Sequence, residues 1–222
     1  MPAWTSRSST EASLGAATAK AVNAGLLKPL TKPAVWVLAL APAMWLLLGA
    51  INNTLGANPA EALIRSTGDW TLRLLCITLA VTPLRQLTGW HALARLRRML
   101  GLFTFFYGCL HFLCFAWLDM GLDLAAILND IPKRPFILVG TAALLTMLPL
   151  AATSFNRAIK TLGPVRWRAL HRLVYATALL ALLHFFWMRS AKNDFAEVAV
   201  YAAVIALLLG WRVWRWKTDL VV

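Results

Sequence analysis

Apolar positions along this chain are continuous rather than alternating. Six apolar runs stand out, at about Ala34–Ile51, Trp70–Leu84, Leu100–Leu118, Phe136–Ala152, Ala169–Met188 and Val198–Trp214. A helix needs ~20 apolar residues to cross the hydrocarbon of a bilayer, whereas a barrel strand would alternate. The pattern therefore predicts an all-α integral membrane bundle of six transmembrane helices over residues 33–217, because helices satisfy their own backbone groups in lipid. The second run is short and carries Arg73 near its start; the first contains Pro42. Residues 1–32, rich in Ser, Thr and Ala without a helical period, read as a disordered cytoplasmic tail, and 218–222 as a short C-terminal tail.

Composition agrees with a membrane protein. Of 222 residues 60% are hydrophobic and 14% charged, with a mean hydropathy of +0.66, against roughly a quarter charged in soluble domains. The net charge of +13 raises the question of nucleic acid, and its distribution answers it. If the N-terminal segment, the connections after runs two and four, and the C-terminus share one side, that side holds sixteen bases and two acids. The other side has six bases and seven acids. Bases stay cytoplasmic, which puts both termini in the cytoplasm. The basic excess is thus topological, and no nucleic-acid partner is required. Cys76, Cys109 and Cys114 all lie inside apolar runs without CxxC or CxxCH spacing; they read as small buried hydrophobes.

Against this background the histidines carry the chemistry. An ionisable side chain deep in a span is costly and marks a functional site by default. His111 lies thirteen residues beyond Arg98 and His184 sixteen beyond Arg168, about 20 and 24 Å from the cytoplasmic edge at ~1.5 Å per residue. Each alone reads equally as an interhelical hydrogen-bonding residue. Two at matched depth on different helices suit axial ligation of a haem iron. Gly108 and Ala181, one turn before each, leave room for a porphyrin, with Tyr107, Phe115 and Trp187 as ring contacts. Arg73 is a candidate partner for a propionate, or a base that snorkels to the interface.

His171 precedes His184 by thirteen residues and lies near the cytoplasmic edge among Arg166, Arg168 and Arg172. The matching position fourteen before His111 is Arg97, which is no ordinary haem ligand. Along one ideal helix thirteen residues also turn roughly 140° off the same face. His171 and Arg97 therefore mark either a second haem or another electron-entry group. The basic rim of Arg97, Arg98, Arg168 and Arg172 suits a flavin phosphate or a quinone headgroup. His91, in a basic connection, reads as solvated.

The stretches RRMLGL from Arg97, Tyr107-x-x-x-His111, RPFILVG from Arg134, TS-x-x-R from Thr153 and LGPVRWRALHRLVY from Leu162 together resemble the ferric reductase-like transmembrane family. Within it they are similar to the haem-binding membrane subunits of bacterial periplasmic methionine sulfoxide reductase systems, over about residues 60–215. The resemblance implies six helices, haem b and FMN. It also implies electron transfer from the membrane quinone pool to a molybdopterin-dependent periplasmic methionine sulfoxide reductase subunit, with His111 and His184 as axial ligands and His171 as a further cofactor-linked residue. Such a chain conducts electrons without a substrate-converting site of its own, so whether it counts as an enzyme stays open.

Two other readings stand beside this one. A ferric or cupric reductase would use a cytosolic NADPH-flavin unit, and no GxGxxG fingerprint occurs here, although a separate flavoprotein could feed the chain. A His-relay proton-coupled transporter would place acids within its helices; the six runs contain none.

Overall fold

The computed structural model describes residues 4–190 and 193–220. Among these the chain is helical: α1 (Trp4–Leu27), α2 (Thr31–Ile51), α3 (Pro59–Thr88), α4 (Ala94–Cys114), α5 (Leu124–Lys133), α6 (Pro135–Ala152), α7 (Asn156–Leu170), α8 (Leu173–Ser190) and α9 (Ala196–Leu220). Five stretches are long and apolar enough to cross a membrane: α2, His91–Asp119 around α4, α6, α8 and Ala196–Trp216 of α9. The sixth expected span, read from sequence as Trp70–Leu84, is part of α3, thirty residues long. Its length suffices for a crossing, but Glu61, Arg65, Asp69, Arg73 and Arg85 lower its hydropathy.

Local chemistry sets the limits of α3. Asn58 caps its start by accepting from the Glu61 N–H, Pro59 occupies the first turn, and Gly89 closes the end at φ 72°. These are the preferred residues at such positions. Likewise, the Asp123 carboxylate accepts from the N–H groups of Ala125 and Ala126 and so starts α5.

The core forms where α3 meets its neighbours. Leu72, Leu75 and Leu79 pack on Ala178 and Phe185 of α8 and Ile205 of α9. Leu74 and Val81 pack with Leu96, Leu100, Phe103 and Tyr107 of α4 and Ala39 of α2. Large exposed side chains such as Trp36, Leu47, Leu179 and Leu207 cover the outside of the bundle, where a bilayer rather than water is the solvent.

Two prolines inside helices have identifiable partners. Pro83 has no N–H, so the carbonyl of Leu79, four residues earlier, loses its helical donor. Arg212 of α9 donates to that oxygen at 2.5 Å, with its guanidinium 5.5 Å from the centre of the Tyr175 ring. Beside Pro42, the Tyr107 hydroxyl accepts from the Ala43 N–H at 3.0 Å and donates to the Ala39 carbonyl at 2.8 Å. An unbroken helix would join those two groups directly, so the hydroxyl is inserted into the ladder of α2. Tyr107 is fully buried in this role.

The structure corrects the sequence reading in three places. The segment expected to be a disordered tail contains α1, tied down where Asn23 donates to the Gly89 carbonyl and accepts from the Ala92 N–H. The apolar run Ala169–Met188 is not one helix, since α7 ends at Leu170 and a turn at His171 and Arg172 precedes α8. Finally, α4 does not run straight to its end: Phe115–Asp119 forms a π-helical turn, the kind of bulge that re-aims side chains at sites.

Candidate functional site

His111 projects from α4 and His184 from α8 into one cavity of about 250 Å³ between α3, α4, α6 and α8. Their ring centres are 6.0 Å apart and their planes cross at 76°. Each imidazole is oriented from behind: His111 Nδ1 lies 2.8 Å from the Ile64 carbonyl oxygen and His184 Nδ1 2.6 Å from that of Phe136. A carbonyl only accepts, so both Nδ1 atoms carry the proton and both Nε2 lone pairs are left for a metal.

The spacing fits one metal between the rings. A bond of about 2 Å on each side, plus ~1 Å from each nitrogen to its ring centre, gives centres ~6 Å apart. Among the described residues no three His, Cys, Asp or Glu side chains converge. A metal held here would draw its other donors from outside these side chains, as the macrocycle of haem supplies them. Most of the rest of the lining is apolar or small, with Phe112, Phe115, Leu144, Phe136, Gly108 and Ala181 among it.

Two glycines missed from sequence make the arrangement possible. A Cβ on Gly140 of α6 would stand 2.7 Å from His184 Nδ1, and one on Gly68 of α3 would stand 3.1 Å from the His111 ring. Gly140 lies inside the RPFILVG stretch, yet nothing in its spacing announces the imidazole lying against it. A Cβ on Gly108 would meet Leu144 at an ordinary 3.4 Å; Gly108 lines the cavity, as does Ala181.

The structure redistributes the other expected contacts. Phe115 lines the cavity, but Tyr107 turns to α2 and Trp187 is exposed on the bundle's outside. Arg73 is exposed, with its guanidinium 5.0 Å from the Trp70 ring centre, and does not line the cavity. The bases that do are Arg65 and Arg134, together with the acids Asp69 and Asp119.

Arg97, Arg98 and His171 meet in a second cavity of about 290 Å³ at the other end of the same helices. Leu75, Met147 and Thr177 border both cavities. The turn between α7 and α8 brings His171 here, which removes the angular conflict of a single straight helix. Trp167 stacks on His171 at 3.8 Å and donates to the Thr153 carbonyl. His171 Nδ1 bonds the Trp167 carbonyl at 3.0 Å, while its Nε2 is buried without a hydrogen-bond partner, as is Thr78 Oγ1 across the cavity. Burial, opposed by the Trp167 and Leu150 carbonyls and seconded by the Arg97 charge, lowers the affinity of His171 for a proton. Arg98 reaches Asn156 at 2.8 Å. Arg168, Arg172 and His91 are exposed and line neither cavity.

Comparison with known proteins follows the same geometry. The sequence model of the family described as ferric reductase like transmembrane component matches residues 67–182, a segment that contains His111 and His171 and stops just before His184. The chain is 62% identical over 190 residues to the "Protein-methionine-sulfoxide reductase heme-binding subunit MsrQ" of Polaromonas naphthalenivorans, covering 86% of this chain and 87% of that one. It is 59% identical to the protein of the same name from Ralstonia nicotianae, covering 82% and 83%. For that of Bordetella pertussis the identity is 56%, covering 83% and 89%. No solved structure matches significantly.

Proposed function

We propose that this chain, which belongs to the family of protein-methionine-sulfoxide reductase heme-binding subunits within the ferric reductase-like transmembrane family, carries electrons across the bacterial inner membrane to a periplasmic methionine sulfoxide reductase. The observation that carries this reading is the pair of imidazoles, His111 and His184, whose ring centres lie 6.0 Å apart in one cavity, a spacing suited to one metal. In this reading α3 joins the five apolar stretches as the sixth span, and both termini are cytoplasmic, as the distribution of Lys and Arg requires.

His111 and His184 would hold haem b through their Nε2 atoms, each ring being fixed by the carbonyl at its Nδ1. Haem supplies one-electron redox chemistry when bound. The apolar walls exclude water, which together with the ligands sets the potential.

The inner cavity is the electron entry. Arg97 and Arg98 offer guanidiniums to a phosphate or a quinone carbonyl, and the buried, unpartnered His171 Nε2 and Thr78 Oγ1 offer further polar contacts. FMN or a membrane quinone fits that donor set better than a second bis-histidine haem, because a guanidinium stands where the second imidazole would be needed. The outer face, with Asp119, Asp123 and Asp130, receives the partner, a molybdopterin-dependent catalytic subunit.

A direct test uses the chain in liposomes with a reduced quinol and, separately, with reduced FMN. Reduction of the haem band by either donor, followed by its reoxidation on adding the catalytic subunit and methionine sulfoxide, is expected. A band that neither donor reduces would sink the entry assignment, and one that the partner leaves reduced would sink the exit.

A further inference from the structure

Two guanidiniums at the rim of the outer cavity are not accounted for by ligation. Arg65, on α3 one residue past the Ile64 whose carbonyl orients His111, and Arg134, at the N-terminus of α6 two residues before the Phe136 whose carbonyl orients His184, both line the cavity. Each is therefore fixed to the backbone that positions one of the two imidazoles. Each also holds a carboxylate one turn back on the outer side. Arg65 pairs with Glu61, and Arg134 grips Asp130 through two atoms, one contact being 2.8 Å.

These ion pairs are wet. The arginine side chains are 32% and 41% exposed, so solvent screens both pairs, although the two-atom grip of Arg134 on Asp130 is the stronger kind. A second anion entering the cavity can share such a guanidinium, whose five donors serve more than one carboxylate. The other charged groups of the lining, Asp69 and Asp119, repel an anion and leave the two arginines as its only cationic partners among the described lining residues.

We propose that Arg65 and Arg134 anchor the two propionates of the porphyrin held between His111 and His184, and so fix its rotation about the axis joining the imidazoles. The proposal rests on the bis-histidine reading. It makes the two arginines positioning residues, and it takes Arg73, exposed over Trp70, out of that role.

The experiment measures the rate at which detergent-purified, haem-loaded protein loses its haem to excess apomyoglobin. Arg65→Gln and Arg134→Gln are expected to keep the low-spin b-type spectrum but lose haem about tenfold faster, the scale of one charge-assisted hydrogen bond; Arg73→Gln should match the parent. Loading with the dimethyl ester of haem, which has no propionate charge, should give the parent the same fast loss and make the arginine substitutions silent. If a variant fails to assemble, the ester in the parent protein decides alone. Equal loss rates for haem and its ester, or acceleration by Arg73→Gln but not by the other two, would overturn the anchoring. An unaltered haem spectrum in both His111→Ala and His184→Ala would instead overturn the ligand reading beneath it.

Discussion

Gly140 and His184 touch across the α6–α8 interface so closely that a methyl group on the glycine would stand 2.7 Å from Nδ1 of the imidazole. The obstruction is the ring itself, already held 2.6 Å from the Phe136 carbonyl, so it has no slack to retreat. Gly140→Ala should therefore displace His184, cutting haem content several-fold while the helical content by circular dichroism is kept. Gly68→Ala, at 3.1 Å from His111, should act in the same direction more mildly. Pyridine haemochrome per mole of protein reads both.

Tyr107 should behave as a structural residue despite standing one turn before His111. Tyr107→Phe withdraws the hydroxyl that bridges Ala43 and Ala39, and a buried polar group left unsatisfied costs about 1–3 kcal/mol. The expected result is a lower unfolding temperature in detergent with an unchanged haem spectrum.

Arg212 is expected to matter for a related reason. Arg212→Leu leaves the Leu79 carbonyl without the donor that compensates for Pro83, at a cost of about 1–3 kcal/mol. Replacing Pro83 by Ala in the same chain restores a backbone donor and should recover most of the lost thermal stability, a rescue that loss of charge alone would not permit.

His171 gives the chain a pH dependence of defined sign. Its position, in the turn before α8, disfavours the protonated ring, chiefly through burial. The unfolded chain then binds this proton more readily than the folded one, so the contribution is complete above the ordinary histidine value of about 6.5 and is lost as pH falls below it. The melting temperature of the parent should drop more steeply than that of His171→Gln as pH is lowered from neutrality.

These expectations show where the sequence was readable. Five runs could be located, though not all their ends, because lipid demands long uninterrupted apolar stretches; α3 looked short because its first third, from Pro59 to Asp69, is interrupted by Glu61, Arg65 and Asp69. His111 and His184 were found as ionisable groups where such groups are expensive. What backs them was not legible: Gly68 and Gly140 contribute only the absence of an atom, and that has meaning only once α3 lies on α4 and α6 on α8. Arg73 reads from sequence as a propionate partner, and Arg65, eight residues earlier on the same helix, carries no such signal, because sequence does not say which face is turned inward. The break at His171 was hidden inside a run whose apolar character continues across it, and α1 has no apolar period to read, since its anchor is Asn23 on the connection after α3.

The central claim is ligation of one haem by the two facing imidazoles, and a dithionite-reduced minus oxidised spectrum of the purified protein tests it most directly. The account predicts a low-spin b-type α band that disappears in His111→Ala and in His184→Ala and persists in His91→Ala, whose ring is exposed and lines neither cavity. A preparation that stays colourless after haem supplementation, or a band that survives both substitutions, would contradict it.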